Sequence, residues 1–446
     1  MLGNVLCMRR IGLGGVAALA VLGMALAGCT SSGTTTAKSA ADNAASGKAA
    51  ASAKPTPHGP VVTITPGNGA SGADPSRGIT VTATGGTLKN VAVHTSGDPV
   101  TGSYASGNAS WHSTWALDVS QSYTVTATAA AANGTTTTQT AAFRTLTPSS
   151  TFTTEILEGY GQSYGVGMPI ILYFSQRITN RAAVERALQV STSKPVIGSW
   201  YWDYPCNMAA TCAYFRPRDY WPAGTTVSFT GHLNGVEGAP GVYGVHDLTQ
   251  SFSIGQSVIA VASTSAHHTL IYVNGQVQYD WPISTGRATM PTPDGTYLTV
   301  DKGNPVRMIG GTKGTAGYYN ELVNYAVRFT YSGDYYHSAP WSVVDQGTTN
   351  VSHGCVNLPP EDAQIYYNMA IPGDPITITS SPQGGDWDDG WTQWFLDWNQ
   401  YLQGSATHMA VEAGPSGSTF VSPSSLPADT ATFPVGTSAQ GNYLAQ

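Results

Sequence analysis

The sequence predicts a mainly β protein built of several domains in series. Ile79-Thr80-Val81-Thr82-Ala83-Thr84 and Tyr123-Thr124-Val125-Thr126-Ala127-Thr128 alternate strictly between apolar and hydroxylated side chains. That is the period-two signature of strands with one buried face. Asn133-Gly134 follows the second stretch as a type I′ hairpin turn. A length of 446 residues allows about three domains at roughly 150 residues each.

The first residues read as an export signal. Arg9 and Arg10 precede an apolar run from Ile11 to Ala27, a charged region followed by a hydrophobic one. Leu26-Ala27-Gly28-Cys29 resembles the bacterial lipobox, so residues 1–29 are expected to be a lipoprotein signal, with Cys29 lipidated and anchored to the outer face of the cytoplasmic membrane. Arg9-Arg10-Ile11-Gly12-Leu13 also resembles a twin-arginine signal, and the export route stays open. Residues 30–60 are rich in Ser, Thr, Ala, Lys and Pro without apolar period and are expected to be a disordered linker. Only 10% of residues are charged and the formal net charge is -7, which gives no electrostatic drive toward nucleic acid.

Residues 61–146 are expected to form a β-sandwich, punctuated by Gly85-Gly86 and Ser96-Gly97-Asp98-Pro99 and Ig-like in architecture. Residues 147–254 read as a second such domain, with a strand at Ile170-Ile171-Leu172-Tyr173-Phe174 and a short helix over residues 180–188. Trp200-Tyr201-Trp202, Tyr214-Phe215 and Tyr220-Trp221 form an aromatic group. Core or interdomain packing is favoured over glycan binding, because aromatic side chains dominate burial. In an exported chain disulfides persist, so Cys206 and Cys212 are expected to pair across a small loop between two strands. Of five cysteines, Cys7 leaves with the signal and Cys29 is the anchor. Cys355 remains as a candidate reactive thiol.

Strands resume in residues 255–380, with Asn274-Gly275 as another hairpin turn. The chemistry of this region concentrates in Ser352-His353-Gly354-Cys355-Val356-Asn357. Read as extended backbone, it puts His353, Cys355 and Asn357 on one face and Val356 and Leu358 on the other. A thiol is a strong nucleophile once ionised, and a neighbouring imidazole can ionise it. The N–H groups of Gly354 and Cys355 are candidate oxyanion donors. A bare His-Gly-Cys is more often a buried structural Cys beside a surface His. A second stretch, His337-Ser338-Ala339-Pro340-Trp341-Ser342, reverses those odds.

Together with Met308, Tyr319 and Tyr331-Ser332-Gly333, these residues resemble the YkuD-type L,D-transpeptidases, in the multi-domain lipoprotein form of actinobacteria. The resemblance implies two Ig-like domains followed by a β-rich catalytic domain with a lid. It makes Cys355 the nucleophile and His337 its base, held by the carbonyl of Ser338 in the logic of a catalytic triad. It gives His353 and Gly354 to substrate or oxyanion binding, and Met308, Tyr319, Trp341, Ser352 and Asn357 to the substrate pocket. The lid is expected to be a Gly-rich loop over residues 308–325. The implied reaction forms 3→3 cross-links between peptidoglycan stem peptides, with a tetrapeptide donor releasing D-Ala and a second stem as acceptor. Carbapenem β-lactams are implied as inhibitors. No cofactor is implied. Zinc is set aside, because His267-His268 has no nearby Cys and a zinc site needs three or four ligands.

Pro359-Pro360-Glu361-Asp362 opens a helix that should run to Met369 and stop at Pro372-Gly373. Trp387, Trp391, Trp394 and Trp398 recur at helical spacing, so residues 381–404 are expected to form a helical segment docking on the catalytic domain. Residues 405–446, rich in Ser, Gly, Ala and Pro, are expected to be disordered. Two other functions stay open: an L,D-carboxypeptidase with water as acceptor, and a wall-binding lipoprotein without catalysis.

Overall fold

The computed structural model describes residues 59–427 apart from 207, 316 and 317. The lipoprotein signal with Cys29, nearly all of the expected linker and the last part of the tail lie outside the described residues.

The first sandwich packs two four-stranded sheets, one centred on Thr80–Thr84 and the other on Ser122–Ala130. Along Ser122–Ala130 burial alternates, with Tyr123, Val125, Ala127 and Ala129 inward. The outward threonines pair across strands, Thr126 with Thr140 and Thr128 with Thr138. β-Branched residues suit that half-exposed surface.

The second sandwich encloses an aromatic core of Trp200, Phe215, Trp221 and Phe229, so these rings serve packing. Cys206 and Cys212 are joined by a disulfide across the turn between Val196–Asp203 and Thr211–Pro217. The sheet also gains two strands from the far end of the chain. Ala410–Gly414 pairs with Val196–Asp203, and Gly417–Val421 pairs with Ala410–Gly414. This corrects the expectation of disorder from residue 405. Val411 and Ala413 bury themselves in the core, and the hairpin covers an edge strand that would otherwise be open.

The catalytic domain has a five-stranded sheet and a four-stranded one. The second is ordered Asp301–Gly303, Ala326–Arg328, Tyr335–Ser338, Val356–Leu358. Tyr335–Ser338 and Val356–Leu358 run parallel, with His337 opposite Asn357. The helix Pro360–Met369 follows, with Glu361 and Asp362 in its first turn and Ala363 and Tyr366 buried. Lys302 closes its other end, donating to the carbonyls of Tyr367 and Ala370 at 2.7 Å each.

Residues 308–325 are not a loop. Val306–Gly310 and Tyr319–Val323 form a two-stranded hairpin. Glycine and polar residues hid its alternation.

The tryptophans of residues 387–398 do not share a helix face. A 3₁₀ turn at Gln393–Phe395 and a helix at Trp398–Gln403 are separate, because tertiary partners outcompete local spacing. Trp394 is fully buried and donates to the carbonyl of Gly167 at 2.7 Å. Its neighbours Met168 and Ile171 belong to the second sandwich, while Leu298 belongs to the catalytic domain. The segment is thus a strap across both domains, not a cap on one. Arg216 lies between the rings of Trp394 and Tyr401, 4.2 Å from each centroid, and donates to the carbonyl of Leu396. Each such cation–π contact, desolvated, is worth on the order of 0.5–2 kcal/mol. Buried Glu185 completes the fastening, accepting from Trp202, Ser405, Ala406 and Thr407.

Candidate active site

Parallel pairing of the two short strands brings the His337 stretch beside the Cys355 stretch. Val356 and Leu358 are fully buried in the catalytic core, which fixes the register of the strand. The residues before it do not continue the strand. Residues 352–355 bend, and Gly354 has a φ of 133°, a conformation that favours glycine. A Cβ there would run into the Asp334 carboxylate.

Ser352 builds the bend. Its hydroxyl donates to the carbonyl of Cys355 at 2.6 Å and accepts from the N–H of Gly354 at 3.1 Å. The Gly354 N–H is therefore already engaged, which corrects its assignment as an oxyanion donor. Thr292 braces the same bend from outside, donating to the carbonyl of Gly354 at 2.5 Å.

His337 is buried, and its Nδ1–H donates to the Ser338 carbonyl at 2.9 Å. That hydrogen bond places the tautomer's lone pair on Nε2. Burial lowers its pKa to about 4, against the opposing pull of the Ser338 carbonyl. Burial and the Asp334 carboxylate push the Cys355 thiol up to about 12. The backbone N–H groups of Tyr335 and Cys355 pull it the other way. At rest the pair is thus thiol and neutral imidazole, not the ion pair that the sequence reading favours. The S–H points to the carbonyl of Gly333 at 3.8 Å, so this hydrogen bond must break before the proton can pass to His337.

His353 is held by a residue the sequence reading missed. Arg287 donates from Nη1 to His353 Nε2 at 2.9 Å, and a guanidinium has no acceptor. The proton of neutral His353 therefore sits on Nδ1. Burial and the Arg287 charge both lower the pKa of His353. Tyr319 packs its ring 4.6 Å from the imidazole.

One cavity of about 390 Å³ gathers His337, His353, Cys355, Ser352 and Asn357 with Met308, Tyr319 and Trp341. The hairpin carrying Met308 and Tyr319 forms its lid. Trp341 is 54% exposed, at the mouth. Asn357 also serves the frame, donating to the Ser342 hydroxyl at 3.0 Å. A larger, polar cleft of about 1130 Å³ lies on the other side, sharing Tyr319 and His353 with the first.

The strap reaches this site through Asp389. Its carboxylate accepts from the N–H of Ser332 at 2.6 Å and from the Ser332 hydroxyl at 2.5 Å. Ser332 precedes Gly333, the carbonyl of which receives the thiol. Asp389→Ala is expected to loosen this turn and slow carbapenem acylation of Cys355 about ten- to hundredfold, the scale of a small misplacement at a reacting centre. Asp389→Asn, which keeps one acceptor oxygen, should fall between. An Asp389→Ala variant that acylates at the wild-type rate would refute the link.

Residues 257–378 match the family model "L,D-transpeptidase catalytic domain", and residues 70–237 match "Bacterial Ig domain". The chain is 32% identical over 348 residues to L,D-transpeptidase 2 of Mycobacterium tuberculosis, covering 75% of this chain and 84% of that protein. It is 32% identical over 359 residues to L,D-transpeptidase 5 of the same species, covering 79% and 78%. A solved structure of an L,D-transpeptidase in complex with imipenem matches at 35% identity and a TM-score of 0.44, over 52% of this chain and 100% of that one.

Proposed function

The chain belongs to the L,D-transpeptidase family, and we propose that it cross-links peptidoglycan through a thioester on Cys355. The observation that carries this is the single cavity uniting the Cys355 thiol, the Nε2 face of His337 and His353.

The donor tetrapeptide enters under the lid with the carbonyl of its third residue at Cys355. As Sγ attacks that carbon, its proton passes to Nε2 of His337. The Ser338 carbonyl stabilises the imidazolium that forms. The Cys355 N–H and His353 Nδ1–H face the developing oxyanion. When the C–N bond breaks, His337 returns the proton to the leaving amine, and D-Ala departs. The second stem approaches from the larger cleft, and its side-chain amine attacks the thioester. His337 takes a proton from that amine and returns it to the departing thiolate. The products are a 3→3 amide and the free thiol, and every proton is accounted for. A carbapenem carbonyl would meet the same thiol and remain as a stable acyl adduct.

The chain works at the outer face of the cytoplasmic membrane in this reading, anchored through lipidated Cys29. Support comes from Leu26-Ala27-Gly28-Cys29 after the apolar run. Cys29→Ala is expected to release the protein from the membrane fraction or leave it uncleaved. A mature N-terminus elsewhere without lipid mass would contradict the anchor. The reaction itself is tested by incubating the protein with disaccharide-tetrapeptide and following D-Ala release alongside dimer formation.

A further inference from the structure

We propose that Glu321 selects the donor stem by pairing with the side-chain ammonium of its third residue; this rests on the transpeptidase reading above. Glu321 stands in the lid strand Tyr319–Val323. Alternate residues of that strand, Tyr319, Glu321 and Val323, line the cavity that holds Cys355. Across the hairpin, Glu321 sits opposite Met308, and Val323 sits opposite Val306. The lid wall thus offers apolar Met308 and Val323 flanking one carboxylate.

Glu321 is the sole residue with a formal charge among those lining the cavity, His337 being neutral at rest. None of the described hydrogen bonds or ion pairs engages its carboxylate. An exposed glutamate on a short edge strand is ordinarily a solvated group that keeps the edge from pairing. Here it faces the reaction cavity. A ligand complementary to this wall has an aliphatic stem ending in a cation. In a muramyl tetrapeptide the α-amines are all acylated, so a side-chain amine on the third residue is the ammonium available. The attacked carbonyl belongs to that same residue, so its side chain starts at Cys355 and runs along the lid. The preferred donor is then a stem with a diamino acid at position three and a free distal amine. A further carboxylate beside that amine would be repelled by Glu321, whereas an amide in its place would not.

The test uses the full chain in detergent, a saturating disaccharide-tripeptide with a free third-residue amine as common acceptor, and two donors: disaccharide-tetrapeptide with a free third-residue amine, and the same compound N-acetylated there. D-Ala release gives kcat and KM for the wild type and for Glu321→Gln. Acylation by a β-lactam carrying no amino group checks that the nucleophile is intact in both. The wild type is expected to show a KM about two- to fivefold lower for the free amine, with kcat little changed, the scale of one exposed ion pair. Glu321→Gln should lose that preference, raising KM for the free amine while leaving the acetylated donor and the β-lactam unchanged. Equal KM values for the two donors in the wild type would overturn the proposal. So would a Glu321→Gln variant that keeps the preference, or one that weakens both donors alike. A preference appearing solely when the amine belongs to the acceptor stem would also overturn it. No D-Ala release from either donor by wild type, with β-lactam acylation intact, would sink the underlying activity and the proposal with it.

Discussion

Cys355→Ala is expected to abolish both D-Ala release and carbapenem adduct formation while the protein stays folded. Every covalent step in the mechanism passes through Sγ. Cys355 is the free cysteine among the described residues, the other two being joined in the disulfide. No second thiol in the cavity can substitute. Its side chain contributes little to the frame, since its hydrogen bond to Gly333 is long at 3.8 Å. Circular dichroism should therefore match wild type, while intact-protein mass spectrometry shows no added carbapenem mass. An adduct on the alanine variant would place the nucleophile elsewhere.

His337→Ala carries the second largest effect, and its pH dependence distinguishes a base from a bystander. The base form of His337 exists above its lowered pKa of about 4. Wild-type acylation should hence be nearly level from pH 6 to 8 and fall as pH drops through about 4, where protonation removes the Nε2 lone pair. Removing the imidazole should cost about 10²–10⁴ in rate near neutrality, the usual worth of a positioned general base. The variant then depends on thiolate formed without help. Because burial and Asp334 hold the thiol up at about 12, its rate should climb with rising pH throughout the accessible range. His353→Ala should lose rate without that recovery, because an oxyanion donor is not replaced by hydroxide. The check is carbapenem acylation against pH in the two variants. Alkaline rescue of His353→Ala in place of His337→Ala would exchange the two roles.

That Val356 and Leu358 face the core on either side of Asn357 was legible from the period of a strand, whereas the bend at residues 352–355, not a shared strand face, brings His353 and Cys355 into the cavity beside Asn357. Pairing with His337 was legible through family resemblance, not through spacing. What the sequence hid depends on contacts between distant segments. Asp389 meets Ser332 across 57 residues, and nothing near either position marks them as partners. Arg287 reaches His353 across 66 residues in the same way. The tryptophan run resembled a helix face because residues three and four apart coincide with it. Gly390, with a φ of 126°, and the burial of Trp391 and Trp394 together against Met168, Ile171 and Leu298 prevail over that spacing. The hairpin at residues 410–421 escaped notice since its short strands are stable only against the edge of a distant sheet. Glu321 had a readable signal: with Tyr319 and Val323 it forms an alternating triplet, visible once the lid is taken as strands.

The mechanism stands or falls on the transfer of a stem peptide to an amine through Cys355. The most direct measurement is mass spectrometry of the products formed by the purified full chain from disaccharide-tetrapeptide. The expected products are free D-Ala and a dimer in which fragmentation places the new amide between two third residues. Unchanged tetrapeptide, or a tripeptide monomer without dimer, would contradict it.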